Sequence, residues 1–275
     1  MSLAPEEVTA HTREQNGAQL TYMHIHSAAG ARKLQKPQGR YITMEVPPLS
    51  DSDEALEAHA RLLGGELRLL LPESGTVLVV GLGNEAITPD AIGPQTAKLV
   101  LATRHIGGEF ARSTGLDDLR PTAVLAPGVL GKTGVESVEI VRGVCGVVKP
   151  AAVIAVDALA SQSVSRLGCT VQLCDSGIAP GSGVGNRRQA LSREQLGVPV
   201  VAMGVPTVVD ARTLVLDLTG KEEAREQVEP RGAAMMVTPR EIDLIVRRAS
   251  RLMAMAIHSA LQPTYSPLEL MAVAE

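Results

Sequence analysis

Five short apolar runs constrain this chain more than anything else in it: Val77–Val80, Ala123–Leu125, Ala152–Val156, Thr170–Leu173 and Val198–Met203. Each is too brief for a packed helix, and all but Thr170–Leu173 show no polar alternation. Runs of that kind are strands buried on both faces. Between them lie stretches with helical spacing: Pro94–Thr103, Val135–Cys145 and Ala158–Arg166. Strand and helix in alternation predict an α/β chain whose mostly parallel sheet is flanked by helices on both faces. The link at Leu167-Gly168 is too short for a crossover helix, so Thr170–Leu173 either pairs antiparallel or begins an excursion.

Outside this core the pattern is weaker. Residues 1–50 are polar and mixed, with a hairpin suggested by two strand-like runs, Leu20–Ile25 and Tyr41–Val46. An amphipathic helix follows the acidic start Asp51-Ser52-Asp53-Glu54, carrying Leu56, Ala60, Leu63, Leu67 and Leu70 on one face. Thr238-Pro239-Arg240-Glu241 reads as a capping box opening a last apolar-faced helix. Residues 219–232 read as a surface connection and 262–275 as a frayed end. A chain of 275 residues accommodates one large domain. The expectation is therefore a single unit over 1–275, with an N-terminal segment 1–50, a catalytic core 76–211 and a C-terminal helix 238–260.

With one Phe, three Tyr and no Trp, the chain lacks the aromatic platforms on which single-stranded nucleic acid stacks. Its net charge of −4 gives no basic footprint for nucleic acid either. Cys145, Cys169 and Cys174 form no paired motif and read as small core thiols in a reducing compartment. No run reaches the ~18 apolar residues of a membrane span, and no leader pattern opens the chain. A cytoplasmic protein with neither a membrane nor a nucleic-acid partner is expected. The histidines are scattered, His24 and His26 being the one close pair, and no His/Cys cluster forms a metal set. Neither a metal nor another cofactor is expected.

Chemistry concentrates at strand ends. After the run ending at Val80 comes Gly81-Leu82-Gly83-Asn84, without the further glycine of a dinucleotide fingerprint, and then Thr88-Pro89-Asp90. Taken alone, Asp90 reads as a carboxylate favouring a helix start. The run 152–156 ends in Asp157, either an N-cap or a group at the carboxyl edge where open α/β sheets bind ligands. Both acids follow parallel strands, so both belong at the same edge. Two carboxylates close together in a dry site share a proton, and such a pair can activate water and protonate a leaving amine. The run Asp175–Arg188 is so rich in glycine that it reads as a substrate-lining loop, without the Lys-Ser/Thr ending of a phosphate cradle. Asn84, Ser182, Gly183 and Asn186 are the residues expected to touch substrate.

Taken together, these stretches resemble the germination protease family of spore-forming bacteria. The resemblance rests on Gly81-Leu82-Gly83-Asn84, Thr88-Pro89-Asp90-Ala91, Thr103-Arg104-His105, Asp157-Ala158-Leu159-Ala160, the block Asp175–Asn186, and Gly204-Val205-Pro206-Thr207-Val208-Val209-Asp210. It implies an intracellular endopeptidase of the spore interior that degrades small acid-soluble spore proteins. It also implies a zymogen, a homotetramer, and a fold like that of hydrogenase-maturation proteases. Asp90 and Asp157 occupy the positions of the family's proposed catalytic aspartates. The sequence departs from the family at Glu85, where an aromatic residue is usual, and in a short 211–237 stretch. Two other readings stay open: a metal-recognising protease of the hydrogenase-maturation kind using Glu85, Asp90 and Asp157, or an inactive binding module on the same fold.

Overall fold

The computed structural model describes residues 4–106, 113, 116, 118–181, 189–226, 228 and 235–274. A mixed sheet forms its spine. The strands are β1 (Val8–Gln15), β2 (Ala18–Ile25), β3 (Gly39–Glu45), β4 (Val77–Gly81), β5 (Thr122–Leu125), β6 (Ala152–Ser161), β7 (Thr170–Cys174), β8 (Val200–Asp210) and β9 (Met236–Val237). They lie in the order β1-β2-β3-β7-β8-β6-β4-β5, with β9 added to β8. The parallel centre expected from the apolar runs is β5-β4-β6-β8. Antiparallel pairings attach β7, β3, β2 and β1 to it, so Thr170–Cys174 takes the antiparallel option.

Alternation along each central strand separates two cores. Val77 and Val79, Ile154 and Val156, and Val201 and Met203 face α2 (Leu56–Leu70), α3 (Ile92–Leu99) and α6 (Ile242–Leu261). Leu78, Val80, Val153 and Ala155 face the other way, onto Val138, Val141 and Cys145 of α4 (Ser137–Val148). A strand covered on both faces has no solvent side, which is why these runs carry no polar alternation. Helix α2 begins at Leu56, close to where its acidic start places it, and buries Ala60, Leu63 and Leu67 completely. Among the described residues no helix is long and apolar enough to cross a membrane. All three cysteines are free.

Four local expectations give way. Ala158–Arg166 is not a helix: β6 runs on to Ser161, because β8 continues to Asp210 and pairs with it as far as Ser161↔Val209. Helix-forming Ala and Leu yield there to a partner strand already in place. Thr238 does not cap the last long helix; its hydroxyl donates to the Thr207 carbonyl at 2.8 Å, and α6 starts at Ile242. The tail is not frayed, since α7 (Pro267–Ala274) buries Leu270 and Met271 against the core. Finally, the polar opening contains β1, an exposed edge strand whose charged residues hid its period from view. Between β2 and β3 the connection holds α1 (Ala28–Leu34), capped by the Ser27 hydroxyl accepting the Gly30 N–H.

Candidate active site

Strand β4 ends where two close backbone approaches demand glycine. A Cβ on Gly81 would lie 2.1 Å from the Gly93 carbonyl oxygen, and one on Gly83, at φ +114°, would lie 2.1 Å from that of Asp90. Because neither carries a side chain, the short 3-10 turn Thr88–Asp90 folds back over the strand end. Asp90 Oδ2 then accepts the Asn84 N–H at 2.7 Å. The turn is also tied from the sheet, since buried Thr207 of β8 donates its hydroxyl to the Pro89 carbonyl at 2.7 Å. Thr207 accepts in turn from Thr238 through its own carbonyl.

Asp157 comes from the extended part of β6. It is not an N-cap, since no helix follows it; it is a strand residue, 5% exposed. Its Oδ1 accepts the N–H of Ala158 at 2.9 Å. Burial, first, and the Asp90 carboxylate, second, push its carboxyl up from 3.8 to about 7, against the opposing pull of the Ala158 bond. The two acids line one cleft of about 540 Å³. Its walls are otherwise mainly apolar, with Ile87, Leu159, Ile178, Val208 and Met236 among them. A largely apolar cleft with a few convergent polar groups and a displaced carboxyl pKa has the makings of an active site.

The predicted substrate residues fare differently. Asn84 stands beside the site with its side chain engaged locally, Oδ1 accepting the Ala86 N–H at 3.1 Å. Its service to Asp90 comes through its backbone. Ser182, Gly183 and Asn186 lie outside the described residues, but the start of their loop, Ile178 to Gly181, forms part of the cleft wall. That loop is anchored at its root: Asp175 accepts the Arg40 N–H and Nε–H, each at 2.7 Å. Glu85, a potential ligand in the metal-recognising reading, is exposed and bonded to Lys98. Asp210 caps α5 (Ala211–Thr219), accepting the Thr213 N–H at 2.9 Å. His24 and His26 pack ring against ring at 4.0 Å on the N-terminal hairpin, and among the described residues no three metal-binding side chains converge. Sequence reasoning missed Thr207 as the tether of the Asp90 turn. A lone hydroxyl within the apolar β8 run was its signal, since a buried polar group needs a partner.

Comparison with known proteins places these residues in context. The family model described as germination protease matches residues 2–221. A germination protease of Caldanaerobacter subterraneus subsp. tengcongensis is 39% identical over 96% of this chain and 90% of its own length. One of Clostridium perfringens is 39% identical, covering 89% of this chain and 84% of its own. The crystal structure of a NiFe hydrogenase maturation protease from Thermococcus kodakarensis aligns over 70% of this chain and 98% of that one, at 18% identity and a TM-score of 0.38.

Proposed function

Because the chain belongs to the germination protease family, we propose that it hydrolyses small acid-soluble spore proteins, with Asp90 and Asp157 as its catalytic pair. As a member it is a peptidase that cuts within polypeptides; the substrate and the catalytic groups are the inferred part. The observation that carries the choice of groups is Asp157, a carboxyl buried beside a second carboxyl and held up to about 7.

Near neutral pH such a pair retains one proton between its members. The drier Asp157 holds it, while the Asn84 N–H favours the charged form of Asp90. Asp90 takes a proton from water as the water oxygen bonds to the scissile carbonyl carbon. When the tetrahedral intermediate collapses and the C–N bond breaks, Asp157 delivers its proton to the departing amine. The apolar cleft wall keeps bulk water from levelling the two carboxyls. In this reading residues 1–275 work as one endopeptidase domain with 76–211 as its core, made as a zymogen in the spore interior and assembled as a homotetramer.

The test is cleavage of a purified small acid-soluble spore protein by wild type, Asp90→Asn and Asp157→Asn, with and without chelator, alongside the mass in solution. Cleavage lost in both variants and indifferent to chelator is expected. Full cleavage by either variant would refute the pair, and binding without cleavage by wild type would refute the enzyme reading.

A further inference from the structure

We propose that the cleft takes its substrate as an added β-strand, laid along the edge of β6 that β4 leaves uncovered at residues 158–160, immediately after Asp157. This rests on the reading that the Asp157 cleft is where the polypeptide is cut.

The geometry points there through the ladder. β4 accompanies β6 from Val77↔Ala152 to Gly81↔Val156, and the Leu82 N–H then donates to the Val156 carbonyl at 2.8 Å. Beyond this the β4 chain turns away at Gly83 toward Asp90. β6 does not stop with it; β8 holds its other edge through Ser161↔Val209. In a parallel ladder the main-chain groups of successive residues face opposite neighbours. Val153 donates to Pro199 on the β8 side, so 153, 155 and 157 face β8 while 152, 154, 156 and 158 face β4. Ala158 is the first residue on that side for which β4 supplies no register partner. Its N–H goes to the Asp157 carboxylate, and its carbonyl faces the side that β4 has vacated. Between the pairs Leu159↔Pro206 and Ala160↔Val208 the partner strand β8 carries one extra residue, Thr207, a bulge of the kind found beside active sites.

Ala158, Leu159 and Ala160 all line the cleft. Its other walls come from both sides of the sheet. Gln172 stands on the α4 side by alternation with Val171 and Leu173, and Thr207 on the α6 side, where its hydroxyl meets the Pro89 carbonyl of the turn that packs on α6. A space bounded in this way suits an extended chain, whose successive side chains point to opposite walls. A bare strand edge on an open surface would recruit other proteins. Recessed in a cleft, it admits one unfolded segment and refuses a helix or a folded sheet. The chemical class of substrate is therefore extended main chain, recognised by its amides with side-chain preference secondary, which is the logic of strand addition.

The test is an N-methyl scan. A short synthetic peptide centred on the bond cut by wild type is made with one backbone amide methylated at a time. Each peptide is assayed as a substrate of wild type and as a competitor for a fluorescein-labelled parent peptide on the Asp157→Asn protein. Methylation at every second residue on one side of the bond should weaken both readouts about tenfold or more, with the intervening residues within about twofold. Uniform tolerance, or uniform loss at all positions, overturns the proposal. Should wild type cut no bond, the catalytic reading falls, and the scan on a spore-protein peptide that binds leaves the alternation in the displacement series to decide strand addition. A parent peptide that neither binds nor is cut overturns both.

Discussion

Two carboxylates in this molecule are buried alike and live in opposite surroundings. Glu66 on α2 is 6% exposed and Asp157 on β6 is 5% exposed. Glu66 Oε1 receives the Arg13 guanidinium at 2.5 Å and the Tyr22 hydroxyl at 2.9 Å. Burial and that carboxylate push the Tyr22 hydroxyl up to about 12, and the His11 ring stacks on Tyr22 with centroids 4.7 Å apart. Through Glu66, Arg13 and Tyr22 fasten the antiparallel β1–β2 hairpin to α2, while His11 braces the two strands against each other. Asp157, in the parallel half, has one backbone N–H and a neighbour of its own charge. A buried charge that is neutralised holds structure together, whereas one left opposed is an energetic cost retained for chemistry. The same burial thus marks a fastening in one half and, in the other, the carboxyl we propose as reactive.

The sharpest way to break that contrast is to neutralise each acid in turn. Asp157→Asn should lower the cleavage rate roughly a thousandfold, with a melting temperature equal to wild type or higher, since it removes a carboxyl whose ionisation burial and Asp90 oppose. A large fall in melting temperature would make Asp157 a structural group like Glu66. The pH dependence of stability sharpens the point by about 4 kcal/mol. A carboxyl raised from 3.8 to about 7 makes the folded state the better proton binder between those values. Relative to Asp157→Asn, wild type should therefore lose stability as pH rises from about 4 to about 7, then level off. His258 works the other way. Burial lowers it from 6.5 to about 4, so its contribution is present above 6.5 and lost as pH falls toward about 4. Denaturation curves of the variant and wild type at matched pH separate the two, and a difference that does not change with pH would sink the assignment.

Smaller effects complete the comparison. Glu66→Ala should cost about 2 kcal/mol, less than a fully buried pair because Arg13 is about half exposed and can turn to water. Its cleavage rate at a temperature where it is folded should match wild type; a matching loss of activity would tie the hairpin to the chemistry. Thr207→Val removes the hydroxyl that holds the Pro89 carbonyl, for about 1 kcal/mol of stability. It should also slow cleavage about tenfold and lower the apparent pKa assigned to Asp157, because Asp90 is no longer held close. Thr207→Ser should restore both. A Val variant with an unchanged pH profile would reduce Thr207 to packing.

How much could be read in advance varies with the kind of force at work. The five apolar runs and the α2 face were legible because burial leaves a local pattern. Asp90 and Asp157 were legible as strand-end acids in recognisable blocks. The antiparallel partnership of β7 stood only as one of two options, and β1 was hidden by the polar residues that an edge strand carries. Ala158–Ser161 misled because its residues favour a helix in isolation, and only the long partner β8 overrides them. Thr238 misled in a related way: a capping sequence was present, but the Thr207 carbonyl offered its hydroxyl a different partner.

By itself, then, the sequence determined the class of fold, the family, and the two acids at one edge of a sheet, since periodicity and short motifs are properties of neighbours along the chain. Tertiary structure alone decided that β6 outruns β4, that Asp157 is dry and faces Asp90, and that Thr207 tethers the turn between them. Those facts depend on contacts between residues far apart in sequence, and desolvation, close backbone approach and like-charge proximity exist only once such residues have been brought together.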